Sequence, residues 1–202
     1  MGVVERVLPF KLRARGFDTG MIYACLGFIQ EWAHRFTLMN FGLIGFSSGL
    51  VLARALAALQ GDLLLARTMG LPALLVTLLA WACRALSLRR NAALKPKSTL
   101  QSATGIKADK LVQKSMGMSA GAFNTREFFH KASAQMFKRI KLTFQMLAFA
   151  IPAALLAIGL TGNASWPWLL ACLLQAPDLI ADRWFFFAQA RHLQNLYYQV
   201  VS

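Results

Sequence analysis

The stretch LTFQMLAFAIPAALLAIGL, residues 142–160, decides the fold of this chain because it contains nineteen consecutive residues without a charge. An α-helix rises about 1.5 Å per residue, so roughly 20 helical residues cross the ~30 Å hydrocarbon core of a membrane. The stretch therefore predicts a membrane-spanning helix.

Three further segments are similarly apolar: 36–53, which continues as a helix to about residue 59, then 68–83, and 166 to about 190. The segment 68–83 is slightly short for a span unless Arg67 and Arg84 extend their side chains towards the membrane surface. Together with 142–160, these segments predict four spans.

Short polar turns pair the spans into two helical hairpins. Gln60-Gly61-Asp62 separates the first two spans, and residues 161–165 separate the last two. Ser165 is a candidate N-cap, with Pro167 in the first turn of the fourth helix.

Composition supports a membrane protein and excludes other classes. Hydrophobic residues make up 57% of the 202 residues and charged residues 15%, and 22 Lys+Arg against 8 Asp+Glu give a net charge of +14. Disorder needs the opposite balance, and a soluble domain carries about 25% charged residues. A nucleic-acid binder would be basic without so much apolar sequence, so we expect no nucleic-acid partner.

The predicted fold class is an all-α integral membrane protein, in which two transmembrane hairpins are joined by a long basic loop containing an amphipathic helix. The N-terminal residues lack the apolar run of a signal peptide. The expected organisation is an N-terminal extramembrane segment (1–35), a first hairpin (36–86), the basic loop (87–141), a second hairpin (142–190) and a C-terminal tail (191–202).

The basic loop carries 12 Lys+Arg and two acids between residues 89 and 141. Asn124 followed by Glu127 is typical of a capping box, and it predicts an amphipathic helix on the membrane surface. Its apolar face would hold Phe128, Phe129, Ala132, Met136 and Ile140, and its basic face Lys131, Lys138 and Lys141. Two interpretations stay open: a solvated loop attracted to anionic lipid, or a docking surface for a partner subunit with Arg126, Glu127, His130 and Lys131 as candidates.

The distribution of Lys and Arg also predicts the topology. The N-terminal 36 residues carry five, and the turn at 161–165 carries none. The positive-inside rule therefore places the N-terminus, the basic loop and the tail in the cytoplasm.

Polar side chains inside the spans are functional candidates because they are costly there. Asn40, Ser47 and Arg54 are seven residues apart and share one helix face, as do Gln175, Asp178, Asp182 and Gln189, with Arg183 about 100° away. This pattern suggests a buried ion pair of Arg54 with Asp178 or Asp182. Such a pair either fixes the helix register or belongs to a proton path or a quinol site formed by Arg54, Asp178, Asp182 and Arg183.

Aromatic residues 184–187, with Tyr197 and Tyr198, cluster at the end of the fourth span and suggest an interfacial belt or, alternatively, a stacking wall for a quinone ring. Cys25, Cys83, Cys172 and the three histidines are too scattered to predict a metal site or a haem.

Three stretches carry a resemblance to a known family: GMIYACLGFIQEWAH (20–34), SMGMSAGAFNTREFFH (115–130) and DRWFFFAQARHLQNLYYQ (182–199). They resemble the C-terminal half of the membrane anchor subunit of dimethyl sulfoxide reductase. The resemblance extends from about residue 18 onward, and such anchors look like eight-span proteins.

The resemblance implies a role in anaerobic respiration at the bacterial inner membrane. Such an anchor holds an iron–sulfur subunit and a molybdenum-cofactor catalytic subunit, oxidises quinol as its substrate and binds no metal or haem of its own. It also implies that the basic loop faces outward, against the charge rule. A scaffold that binds anionic membrane lipid and a small transporter remain the alternatives.

Overall fold

The computed structural model describes residues 15–112, 134–162 and 164–191. This part of the chain is helical and contains no strand. Within it, seven α-helices and one π-helical turn follow one another: α1 (Arg15–Ala24), α2 (Arg35–Leu59), α3 (Leu63–Ala92), α4 (Leu100–Thr104), α5 (Ala134–Gln145), the π turn (Met146–Ala150), α6 (Ile151–Thr161) and α7 (Trp166–Ala188).

Three helical stretches of the described chain are long and apolar enough to cross a membrane: Arg35–Leu59, Leu64–Ala92 and Gln135–Thr161. The last joins α5, the π turn and α6 into one rod. Helix α7 has 23 residues but carries Asp178, Asp182 and Arg183, and it is not among the three. The all-helical membrane architecture is confirmed, whereas the fourth span stays a prediction.

The turn between α2 and α3 confirms the expected hairpin. Gly61 has φ +79°, a left-handed conformation that suits glycine. Asp62 is the N-cap of α3, and its Oδ1 accepts the N–H of Leu65 at 2.9 Å. In contrast, the side chain of Ser165 makes no capping hydrogen bond, although Pro167 lies in the first turn of α7 as expected.

The π turn is coupled to a proline. In an α-helix the N–H of residue 152 would donate to the carbonyl of Ala148, but Pro152 has no N–H. Nε2 of Gln175 on α7 donates to this carbonyl at 3.2 Å instead. The side chain of Gln175 therefore replaces a lost backbone hydrogen bond and connects the two helical rods of the second hairpin.

Two apolar clusters fill the bundle at successive levels, and both draw on α2, α3, the α5–α6 rod and α7. The first comprises Ile44, Ala80, Leu88, Phe144, Ala148, Phe149 and Phe185. The second comprises Val51, Ala73, Leu155, Leu156 and Ala171. Since all these side chains are buried, the two hairpins form one packed unit.

An aromatic cluster closes one end of the bundle. Trp32 stacks on Phe186 with ring centroids 5.3 Å apart, and its Nε1 donates to the carbonyl of Phe186 at 3.1 Å. Tyr23 meets the rings of Trp32 and Phe41 at 5.2 and 5.8 Å. The prediction of an interfacial belt is wrong for two of these residues, because Phe185 is buried in the first apolar cluster and the segment before α2 covers Phe186.

The basic loop is only partly described. Helix α3 continues to Ala92. Residues 134–141 of the expected amphipathic helix are helical, but 135–141 are continuous with the membrane-compatible stretch Gln135–Thr161, so a separate surface helix is not confirmed. The capping box at Asn124 and Glu127 and the docking candidates Arg126, His130 and Lys131 lie outside the described residues.

Helix α2 begins with a titratable cap, because Nδ1 of His34 accepts the N–H of Phe36 at 3.1 Å. Burial, with the nearby charges of Arg90 and Arg35, holds the pKa of His34 below its ordinary value of 6.5. The neutral ring is the form that can accept this hydrogen bond.

We expect the contribution of His34 to stability to be complete above pH 6.5 and to be lost as the pH falls through the lowered pKa. Thermal unfolding in detergent between about pH 7.5 and about pH 5, followed by circular dichroism, measures this loss. His34→Asn retains an N-cap acceptor that does not titrate, so it should remove this part of the pH dependence. An unchanged pH profile in the variant would contradict the assignment.

A second prediction concerns the close contact of Gly159 with Trp168. A Cβ added at Gly159 would lie 1.7 Å from Nε1 of the Trp168 indole. Gly159→Ala should therefore lower the free energy of unfolding by about 1–3 kcal/mol. Gly45→Ala is the matched control, since nothing lies within 4 Å of its added Cβ, and it should stay within about 1 kcal/mol of wild type. Equal effects of the two variants would refute the packing argument.

Candidate functional site

Polar side chains cluster at two levels of the bundle interior. One level holds Arg84 and Asp182, and the other, nearer the two hairpin turns, holds Arg54 with Trp168. Between them, the hydroxyl oxygens of Ser47 and Thr77 lie 2.7 Å apart. The fold therefore places a column of polar groups inside an otherwise apolar bundle.

The Arg84–Asp182 ion pair connects α3 to α7. Nε of Arg84 lies 2.6 Å from Oδ1 of Asp182, and both side chains are 2% exposed. The guanidinium also lies 5.6 Å from the ring centre of Phe144. Because both charges are removed from solvent, each depends on the other for compensation.

This pair corrects the expectation that Arg54 pairs with Asp178 or Asp182. It also corrects the expectation that Arg84 extends towards the membrane surface. The sequence does contain a signal for the inward position of Arg84, because small or polar residues recur along α3 at helical intervals. These residues are Ala73, Thr77, Ala80 and Arg84, and all four are buried in the structure. Arg84 lies on the inward face of a helix that continues for two more turns to Ala92.

Asp178 lies one helical turn before Asp182 and differs from it. Its side chain is half-buried, and within the described residues it makes no hydrogen bond or ion pair. Gln175, on the same face, is buried and bonded to the π turn. Of the two carboxylates on this face, Asp182 is therefore paired, and Asp178 has no partner among the described residues.

Arg183 does not join this face. Its guanidinium carbon lies 3.7 Å from the ring centre of Phe41 on α2, and the side chain is half-buried. A cation stacked on an aromatic face is stabilised electrostatically. Arg183 therefore contributes a contact between α7 and α2.

Arg54 is fully buried and rests on Trp168, with 3.9 Å between the guanidinium carbon and the ring centre. Gly70 makes room for it, because a Cβ there would lie 2.5 Å from Nη1. Asn40 and Ser47, which the sequence places on the same face, are also buried. The shared face is confirmed, and the predicted carboxylate partner of Arg54 is absent among the described residues.

Cysteine and histidine do not form a metal site in the part of the chain that the structure describes. No group of three His, Cys, Asp or Glu side chains comes together there. Cys25, Cys83 and Cys172 are free thiols, of which Cys25 is exposed.

These features define a helical membrane protein with a charged interior. The chain is 44% identical over 185 residues to the C-subunit of sulfite dehydrogenase from Allochromatium vinosum, and the match covers 91% of this chain. The chain spans only 56% of that relative's length. No protein-family profile matches the chain, and no solved structure matches it.

Asp182→Asn should be strongly destabilising because it leaves Arg84 as an uncompensated buried cation. The expected loss is about 3–5 kcal/mol in free energy of unfolding. The double variant Arg84→Met with Asp182→Leu removes both charges and should regain most of this loss. Denaturant unfolding of the full chain in detergent measures each value, and additive losses would show that the two groups are not coupled.

Proposed function

We propose that this chain is a membrane subunit of a multi-subunit oxidoreductase complex that passes electrons between a partner and the quinone pool. The observation that carries the proposal is the 44% identity to the sulfite dehydrogenase C-subunit across 91% of the chain. The three membrane-compatible helices support it, since a membrane subunit must hold its complex at the bilayer.

In such a complex, this chain and its partner subunits would have different roles. The chain supplies the bilayer attachment and the polar column. An iron–sulfur subunit and a molybdenum-cofactor catalytic subunit, as the family resemblance implies, would supply the redox centres. The location is then the bacterial inner membrane, with lipid around the bundle and quinone as the mobile electron carrier.

The name of the relative favours sulfite as the substrate of the complex. Oxidation of sulfite with water yields sulfate, two protons and two electrons, and the electrons would pass through the iron–sulfur partner to reduce quinone. Dimethyl sulfoxide reduction, which the stretches 20–34, 115–130 and 182–199 suggest, is the second candidate. It would run the membrane step in the opposite direction, with quinol as the electron donor.

Quinone reduction takes up two protons and quinol oxidation releases two, so either direction needs groups that move protons. Asp178 is the best candidate because it is half-buried and without a partner among the described residues. Asp182 is already held by Arg84 at 2.6 Å and is suited to fixing the helices. Arg54, which stacks on Trp168, and Arg183, which stacks on Phe41, are engaged elsewhere in the bundle and take no part in this proton transfer.

The test is purification from the native host in mild detergent, followed by mass spectrometry and a sulfite-dependent quinone reduction assay. We expect a molybdenum subunit and an iron–sulfur subunit to co-purify, and quinone reduction to require the chain. Recovery of the chain without either subunit would contradict the proposal. Reduction of dimethyl sulfoxide by quinol, without sulfite oxidation, would favour the second candidate.

The docking candidates allow a matched comparison of variants. Arg126→Ala with Lys131→Ala removes two positive charges from the proposed docking region, and we expect partner recovery to fall at least about tenfold. Lys95→Ala with Lys97→Ala removes the same charge from exposed positions elsewhere in the basic loop. That control should retain partner recovery, and equal losses would show that only net charge matters.

A further inference from the structure

One contact sets the register of the first hairpin. Helices α2 and α3 are antiparallel, and Oγ of Ser47 on α2 lies 2.7 Å from Oγ1 of Thr77 on α3. A helix face recurs about every seven residues, or roughly 10 Å along the axis. Equal steps back along α2 and forward along α3 therefore reach the same level of the bundle.

Four large apolar side chains line the outer groove between α2 and α3. Phe46 lies level with Leu79, and seven residues further along each helix Met39 lies level with Leu86. All four are between 44% and 61% exposed, so the rest of the described chain leaves them largely uncovered. In a membrane, this outer groove is open to an acyl chain.

Arginines lie at one end of the outer groove. Arg35 comes four residues before Met39, so the two share a face of α2. Arg90 comes four residues after Leu86, so these two share a face of α3. His34 lies between the arginines, since the charges of both act on its ring. The outer groove therefore has a basic end, formed by the start of α2 and the last turn of α3.

The basic end offers several hydrogen-bond donors. Arg35 is exposed and makes no hydrogen bond or ion pair within the described chain. Arg90 is half-buried, and its Nη2 donates to the carbonyl of Gln30 at 3.1 Å, which directs the side chain towards the start of α2. Nδ1 of His34 accepts the N–H of Phe36, so Nε2 of the neutral ring carries the proton and can donate it to a ligand.

The charge at the basic end favours an anion. The acid beside these arginines is Glu31, which is buried, lies 3.9 Å from Arg191 and also acts on Arg90. Among the described side chains, one carboxylate thus serves three arginines. Arg35 is also the first residue of α2, where the helix dipole is positive, and no acid lies in that first turn.

The length of the outer groove matches one leaflet of a bilayer. Its far end, at Phe46 and Leu79, lies eleven residues from the arginines, which is about 16 Å along the helix axes. Half of the ~30 Å hydrocarbon core is about 15 Å. Guanidinium groups match phosphate oxygens with two parallel hydrogen bonds. A phosphate at the basic end and an apolar chain below it are the two parts of a phospholipid.

We propose that the outer groove binds an anionic phospholipid, whose phosphate is held by Arg35, Arg90 and Nε2 of His34 and whose acyl chain lies along the four apolar side chains. A zwitterionic lipid fits less well, because its headgroup cation is repelled by the arginines. The site belongs to the first hairpin and differs from a diffuse attraction of the basic loop to the membrane. It goes beyond the proposed function, since it involves neither a redox partner nor quinone.

The experiment measures thermal unfolding of the full chain in a neutral detergent, with increasing phosphatidylglycerol or phosphatidylcholine of identical acyl chains. A ligand that binds the folded state raises the unfolding temperature. We expect phosphatidylglycerol to stabilise the wild type at lower concentration than phosphatidylcholine. Arg35→Gln should weaken the apparent Kd for phosphatidylglycerol about tenfold, because charged hydrogen bonds to the phosphate are lost. This variant should fold, since Arg35 is exposed and bonds to no described residue.

A matched control and a groove variant accompany Arg35→Gln. Lys107→Gln removes one positive charge from an exposed position in the basic loop, and it should bind phosphatidylglycerol within about twofold of the wild type. Phe46→Ala removes part of the groove wall without changing the charge. It should weaken phosphatidylglycerol binding about threefold or more, because apolar contact with the acyl chain is lost.

Five outcomes would overturn the site: equal stabilisation by the two lipids, unchanged binding in Arg35→Gln, unchanged binding in Phe46→Ala, an equal loss in Lys107→Gln, or equal stabilisation by inorganic phosphate alone. An equal loss in Lys107→Gln would mean that only net charge matters. Stabilisation by inorganic phosphate would identify a soluble anion as the ligand. Partner co-purification is measured separately, so failure of this site leaves the oxidoreductase assignment intact.

Discussion

The ion pair between Arg84 and Asp182 is the interaction on which the arrangement of the two hairpins depends. It joins α3 of the first hairpin to α7 of the second at a level where both side chains are 2% exposed. An apolar bundle packs through non-directional contacts, which several helix rotations can satisfy. A buried charge pair tolerates only the rotation and register that bring its atoms together, so it selects one arrangement.

Other polar contacts, at neighbouring levels of the bundle, also fix the helices relative to one another. Gln175 donates to the Ala148 carbonyl that Pro152 leaves without a donor, and this bond fixes α7 against the π turn. Ser47 and Thr77 connect α2 to α3. Arg54 differs in degree, because none of its three side-chain nitrogens has an acceptor in the described bundle, whereas Arg84 lacks one only at Nη2.

Much of the fold was predictable because apolar runs and turn residues are local properties. The uncharged stretch 142–160 and the Gln60-Gly61-Asp62 turn correspond to a membrane-compatible helix and a helix-capped turn in the structure. The burial of Arg54 also followed from its seven-residue spacing with Ser47. The partner of Asp182 did not follow, because the charge of Arg84 ends an apolar run and so resembles the end of a span. Helix α3 in fact extends through it to Ala92.

The sequence by itself determined that the chain is helical, apolar enough for a membrane and charged in its interior, since each of these depends on composition and helical spacing. Only the tertiary structure decided which charges meet. In the sequence, Arg54 and Arg84 are both single cations at apolar segments. In the structure, α7 places Asp182 against Arg84 and Trp168 against Arg54. That difference depends on the relative rotation of helices far apart in the chain, which packing of the whole bundle sets.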